Sequence, residues 1–236
     1  MSRTALVERT TKESDVRVEL DLDGTGQATS DTGVPFFDHM LTLFSKHGLF
    51  DLNIKTVGDL DVDFHHTIED TGIVIGECLR EALGTKEGIR RYGCCFLPMD
   101  ETLVRVVVDL SNRPHLEFRA PAGTPSAPNM PFTLVEEFCR AVASNLRANI
   151  HVELLYGRDG HHIAEAIFKG LARALRHAVV RQVGQRHQHS MQLRLQGLQP
   201  VGAGRQFVGD AADLRHQIGH RGGVDALPFE LADLLA

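Results

Sequence analysis

The sequence predicts an α+β fold in which two similar halves, each read as β-β-α-β-α, pack their helices as one layer between two sheets. Three observations carry that expectation. The strand-like segment Glu13 to Leu22 recurs without gaps as Glu101 to Leu110. The word His65-His66-Thr67-Ile68-Glu69 recurs as His161-His162-Ile163-Ala164-Glu165. A half of about 90 residues is near the lower limit for burying a core alone, so two halves are expected to share one.

Each element follows from a local pattern. Glu13 to Leu22 and Glu101 to Leu110 alternate or run apolar with β-branched residues, as strands do. Turn residues follow, Asp23-Gly24 and Ser111-Asn112, then second strands near Gly26 to Ser30 and His115 to Arg119, so each half is expected to open as a hairpin. Apolar residues at helical spacing come next: Phe36, Met40, Leu43 and Phe44 within Pro35 to Lys46, and Leu134, Phe138, Val142 and Leu146 within Thr133 to Leu146. Third strands, Leu49 to Val57 and Asn149 to Tyr156, lead into the HHxxE helices, where Leu79, Arg80 and Ala82 recur as Leu175, Arg176 and Ala178. The domain is expected over residues 1–181, as repeats of about 3–90 and 91–181.

An atypical, mobile tail is expected over 182–236. From Arg181 onward lie eight of the nine glutamines and no lysine, and the stretch 183–223 is rich in Gln, Gly, Arg and His, a composition that buries little apolar surface. A short apolar helix is expected at Leu227 to Ala236.

Composition narrows the function classes. With 236 residues, 42% of them hydrophobic, and no bilayer-length apolar run, a soluble globular protein is expected. Met1 to Asp15 is charged and polar, unlike a signal peptide. The four cysteines form neither a CxxC pair nor a secreted framework, so the expected place is the reducing cytoplasm. A formal net charge of −6 argues against a general nucleic-acid or membrane partner.

The two HHxxE words carry the chemistry. Positions i and i+4 of a helix differ by about 40° around the axis, whereas i and i+1 differ by about 100°. His65 and Glu69 therefore share a face, as do His161 and Glu165, and each pair can reach one cation. His66 and His162 point elsewhere, toward a different ion or a neighbouring chain. One such word reads equally well as a solvated helix start with an i,i+4 ion pair; two in matching contexts favour metal. Alignment of the halves adds a third position, with His39 in the first long helix and Glu137 at the same place in the second, and both side chains suit a hard or borderline divalent ion.

Phe36-Phe37-Asp38-His39-Met40-Leu41, Asp63 through Gly72 and Gly160 through Lys169 together closely resemble the imidazoleglycerol-phosphate dehydratase family, over about Arg3 to Val179. The resemblance implies a shell of about 24 copies with closed symmetry, its active sites at subunit contacts and two manganese ions in each. It assigns one ion to His39, His66, His161 and Glu165, and the other to His65, Glu69, Glu137 and His162. A histidine is also familiar in the family where Glu137 stands, and manganese accepts either ligand.

The implied reaction dehydrates a phosphorylated imidazolyl diol, with metal acting as Lewis acid and template. Glu13 is the base and substrate contact that the resemblance suggests, with metal-bound His65 and His161 completing the catalytic set. Glu101, the repeat partner of Glu13, is expected to be a silent copy. Arg91, Arg113 and Lys169 are expected to grip the phosphate. A Pro-Ser-Thr-Lys-Gly-like ending, usual in the family, does not occur after Ala178, which puts the grip on phosphate in question. Two other readings stay open on the residues alone: a two-metal phosphate-ester hydrolase, or a metal-binding shell without turnover.

Overall fold

The computed structural model describes residues 2–182. The expectations for the tail beyond Gln182 lie outside the described residues. Two four-stranded sheets enclose four helices. The first sheet holds β1 (Thr4–Thr10), β2 (Ser14–Asp21), β3 (Ala28–Asp31) and β4 (Asp51–Gly58) in the order β1-β2-β4-β3. The second repeats it with β5 (Tyr92–Met99), β6 (Thr102–Asp109), β7 (His115–Arg119) and β8 (Asn149–Tyr156), ordered β5-β6-β8-β7. The helices are α1 (Pro35–Gly48), α2 (His65–Leu83), α3 (Phe132–Leu146) and α4 (Gly160–Val179).

The duplicated α+β architecture is present, but each unit has one strand more than expected, at its front. β1 and β5 supply the hairpin partners of β2 and β6. The expected β2–β3 and β6–β7 hairpins do not form, because β3 and β7 cross to the far side of β4 and β8 and pair with them in parallel. A parallel neighbour needs a crossover connection, and α1 and α3 provide it.

Burial follows the two periodicities. On β2, Val16, Val18 and Leu20 face the helices while Arg17 and Glu19 face outward; Val104, Val106 and Val108 do the same on β6. Pro35 opens α1 at a position where the missing amide costs nothing. The stripe on α1 is Phe37, Met40, Leu41 and Phe44, not the expected one, since Phe36 and Leu43 are only partly buried. The stripe expected on α3 is buried throughout.

The helices pair across the halves: α1 lies along α4, and α2 along α3. Gly72 and Gly76 permit the second contact, because a Cβ at either would stand 2.9 Å from the Cβ of Ala141 or Asn145. At the centre, Phe138 and Phe168 stack with centroids 4.7 Å apart, and Phe37 meets Phe138 edge-on at 5.6 Å. Arg3 ties the ends of the domain together, pairing with Asp23 and donating to the carbonyl of Val179 at 2.6 Å. No helix among the described residues is long and apolar enough to cross a membrane.

Phe138→Ala is therefore expected to cost about 3–5 kcal/mol of stability, because it empties the point where helices of both halves meet. Leu6→Ala, on the exposed face of β1, should stay within about 0.5 kcal/mol. Denaturant titration of both variants checks the contrast.

Candidate metal and active site

The cross-half pairing of α1 with α4 sets His39 against the start of the second HHxxE helix. His39 Nε2 lies 3.7 Å from Glu165 Oε2, and His161 Nε2 lies 3.0 Å from the same oxygen. Ligand atoms of His39, His161 and Glu165 all fall within 4.8 Å of one another, the one such three-residue group among the described residues. Phe36 packs edge-on against the His161 ring, with centroids 5.1 Å apart. Its partial exposure is thus explained by what it touches.

Glu165 is 6% exposed, so its charge needs support. Burial pushes its carboxyl toward the neutral form, but Lys169, one turn on, and His161 outweigh that and hold its pKa below the usual carboxylate value. Lys169 also rests 3.8 Å from the sulfur of Met99.

The start of α4 is fixed by Asp159, which accepts from the amides of His161 at 2.7 Å and His162 at 3.2 Å. Asp63 takes the amide of His65 at 2.7 Å in the first half. In that half, His65 Nε2 stands 3.6 Å from Glu69 Oε2 on a common helix face, as the spacing requires. Glu137, the repeat counterpart of His39, sits on α3 with its carboxylate 3.6 Å from Arg140 Nε. No three-residue donor group forms around it in the single chain among the described residues.

The second histidine of each doublet faces away from the first. His66 Nδ1 lies 3.0 Å from Asp59, and His162 Nδ1 lies 2.7 Å from Glu101. Each carboxylate raises the pKa of its histidine. Glu101 is in turn held well below the usual carboxylate range by His162 and by the amides of Asp159 and Arg158. It is hydrogen-bonded to the second doublet and to the loop before α4. Glu13 is different: its carbonyl accepts from the Asp59 amide at 3.0 Å, while its exposed carboxylate has no hydrogen-bond or ion-pair partner among the described residues.

Among the described residues no hydrogen bond or ion pair joins any two of the three candidate phosphate cations. Arg91 forks onto Asp109 at 2.7 and 3.2 Å, and its amide donates to the Ala178 carbonyl. Arg113 is exposed in the β6–β7 loop. Lys169 lies nine residues before Ala178 on α4, about 13 Å along the axis.

Sequence reasoning missed Asp59 and the engagement of Glu101. The available signal was chemical: a ligand histidine usually donates its other ring nitrogen to a carboxylate, and Asp59 is the carboxylate that opens the loop before the first doublet.

Residues 32–175 match the family model described as imidazoleglycerol-phosphate dehydratase. A protein of that name from Akkermansia muciniphila is 64% identical over 177 residues, 75% of this chain and 90% of the relative. The crystal structure of the dehydratase from Staphylococcus aureus has a TM-score of 0.68 at 42% identity, covering 75% of this chain and 99% of that one. The Pyrococcus furiosus enzyme structure gives 0.66 at 38% identity, covering 76% and 98%.

The clustered donors generate a specific expectation. His39→Ala should lower the affinity of the full chain for a divalent ion by more than about tenfold. His115→Ala should leave it unchanged, since His115 neighbours His151 and Glu117 outside any clustered donor group among the described residues. Calorimetric titration with manganese reads both.

Proposed function

Because the chain belongs to the imidazoleglycerol-phosphate dehydratase family and is a hydro-lyase of histidine biosynthesis, we propose that it converts imidazoleglycerol phosphate to imidazole-acetol phosphate with two manganese ions per active site. The sites are completed by contacts between copies in a closed shell, and the place is the cytoplasm. The observation that carries this reading is the gathering of His39 with His161 and Glu165 from opposite halves. Two imidazole nitrogens and one carboxylate oxygen within 4.8 Å suit a divalent first-row ion. The four cysteines are free, in keeping with a reducing compartment.

His39, His161 and Glu165 are assigned to one ion together with His66, and His65, Glu69 and Glu137 to the other together with His162. His66 and His162 lie outside the group gathered in a single chain, so a neighbouring copy is their natural source. When bound, the ions supply Lewis-acid polarisation and a template for the substrate's imidazole ring.

The chain's own residues do the rest. Glu13, with an unengaged carboxylate on the surface, takes the proton from the carbon beside the one that loses its hydroxyl, and that proton passed to the departing hydroxyl releases water. The enol product then tautomerises to the ketone. Arg91 and Arg113 present planar forks for phosphate oxygens. Lys169 is assigned to the phosphate of a substrate held near Glu165, separated from the arginines in its own chain and brought to them by assembly.

Purified full-length protein should convert imidazoleglycerol phosphate only when manganese is present; a fully loaded protein without turnover would overturn the reading. Glu13→Gln should lower kcat by about 10²–10⁴-fold with metal content unchanged. Stripping the metal with a chelator should shrink the particle, and returning manganese should rebuild it, as light scattering can follow. Unchanged size after confirmed metal loss would argue against sites between copies.

A further inference from the structure

The two halves orient the second histidine of the doublet with carboxylates from different places. In the second half the carboxylate comes from the strand start: one oxygen of Glu101 takes His162 Nδ1 at 2.7 Å, and the other accepts the loop amides of Arg158 at 3.1 Å and Asp159 at 2.9 Å. Glu13 occupies the same repeat position in the first half but does not touch His66. There the loop from β4 to α2 is three residues longer than the loop from β8 to α4. Its first residue, Asp59, faces both of its oxygens to His66 Nδ1, at 3.0 and 3.2 Å. Gly157 stands where Gly58 does, each against the third residue of its HHxxE word, so the residue matching Asp59 is Arg158, a cation that offers His162 no carboxylate.

The Asp59 amide is also bonded to the Glu13 carbonyl, so base, loop and histidine form one local unit. The second half shows that a glutamate at this strand start can reach the doublet.

We propose that Asp59 and Glu101 are positioning residues, each holding the second histidine of its doublet by Nδ1 so that Nε2 is presented outward to an ion. We further propose that supply of this carboxylate by Asp59 releases Glu13 for the substrate proton. The inference rests on the proposed reading of His66 and His162 as metal ligands. An acceptor on Nδ1 fixes the tautomer with the lone pair on Nε2 and limits ring rotation. Nε2 of His66 has no hydrogen bond or ion pair among the described residues, and Nε2 of His162 is 3.6 Å from Asp100.

The test is a double-mutant cycle on the full chain, with manganese affinity read by competition against a fluorescent chelator. His66→Ala must weaken binding; if it does not, the underlying ligand assignment fails first, and visibly so. Asp59→Ala is expected to weaken manganese binding by about 10–100-fold, Asp59→Asn by less because an acceptor remains, and the double variant no more than His66→Ala alone. Loss in His66→Ala with wild-type affinity in Asp59→Ala would overturn the positioning role.

A second readout addresses Glu13. At saturating manganese, Asp59→Ala should keep a lowered kcat, because Glu13 is drawn onto the vacated Nδ1, with KM little changed. Full recovery of kcat by excess manganese would overturn that part. Melting temperatures within a few degrees of wild type separate both results from misfolding.

Discussion

The structure depends on helices pairing with the other half's partner. α1 belongs to the first half and α4 to the second, yet they run side by side, and α2 and α3 do the same. A half alone would not bring His39 to His161 and Glu165. The same contacts bury Phe37, Phe138 and Phe168, so the packing that stabilises the domain also assembles the first donor group. Fold and site are one constraint.

That constraint has an electrostatic consequence. A carboxylate set between two packed helices loses hydration, and an unpaired charge there is costly. Glu165 escapes the cost through Lys169 on the next turn and His161 on the preceding one. A site of this kind is pre-formed and charged, ready for a cation, and the neighbouring lysine keeps it ionised without one. Glu69, more exposed, has less need of a lysine, and none is paired with it among the described residues.

Much of the fold was legible because two signals differ in period. Strand alternation in Glu13 to Leu22 and its copy, and helical spacing through both HHxxE segments, placed six strands and four helices near their observed bounds. β1 and β5 were not read because neither alternates like a strand: β1 sets Leu6 beside Val7 and Glu8 beside Arg9 with every second position exposed, and β5 carries Gly93 and Pro98. Pairing was misread for a different reason. A short turn at Asp23-Gly24 suggests a hairpin, but whether a strand pairs back or crosses over depends on contacts made later in the chain. In the site, i,i+4 geometry correctly joined His65 with Glu69 and His161 with Glu165. The carboxylates behind His66 and His162 were hidden, since Asp59 lies in an irregular loop and Glu101 is 61 residues from its histidine.

The central claim is that adjacent histidines of one helix serve different ions because the helix directs them about 100° apart. Anomalous diffraction at the manganese edge on crystals of the loaded full-length assembly tests it most directly. The account predicts two ion positions per chain, one held by His39, His161 and Glu165, with no ion bound by both members of a doublet from the same chain. A single ion ligated by His65 and His66 of one helix, or by His161 and His162, would contradict it.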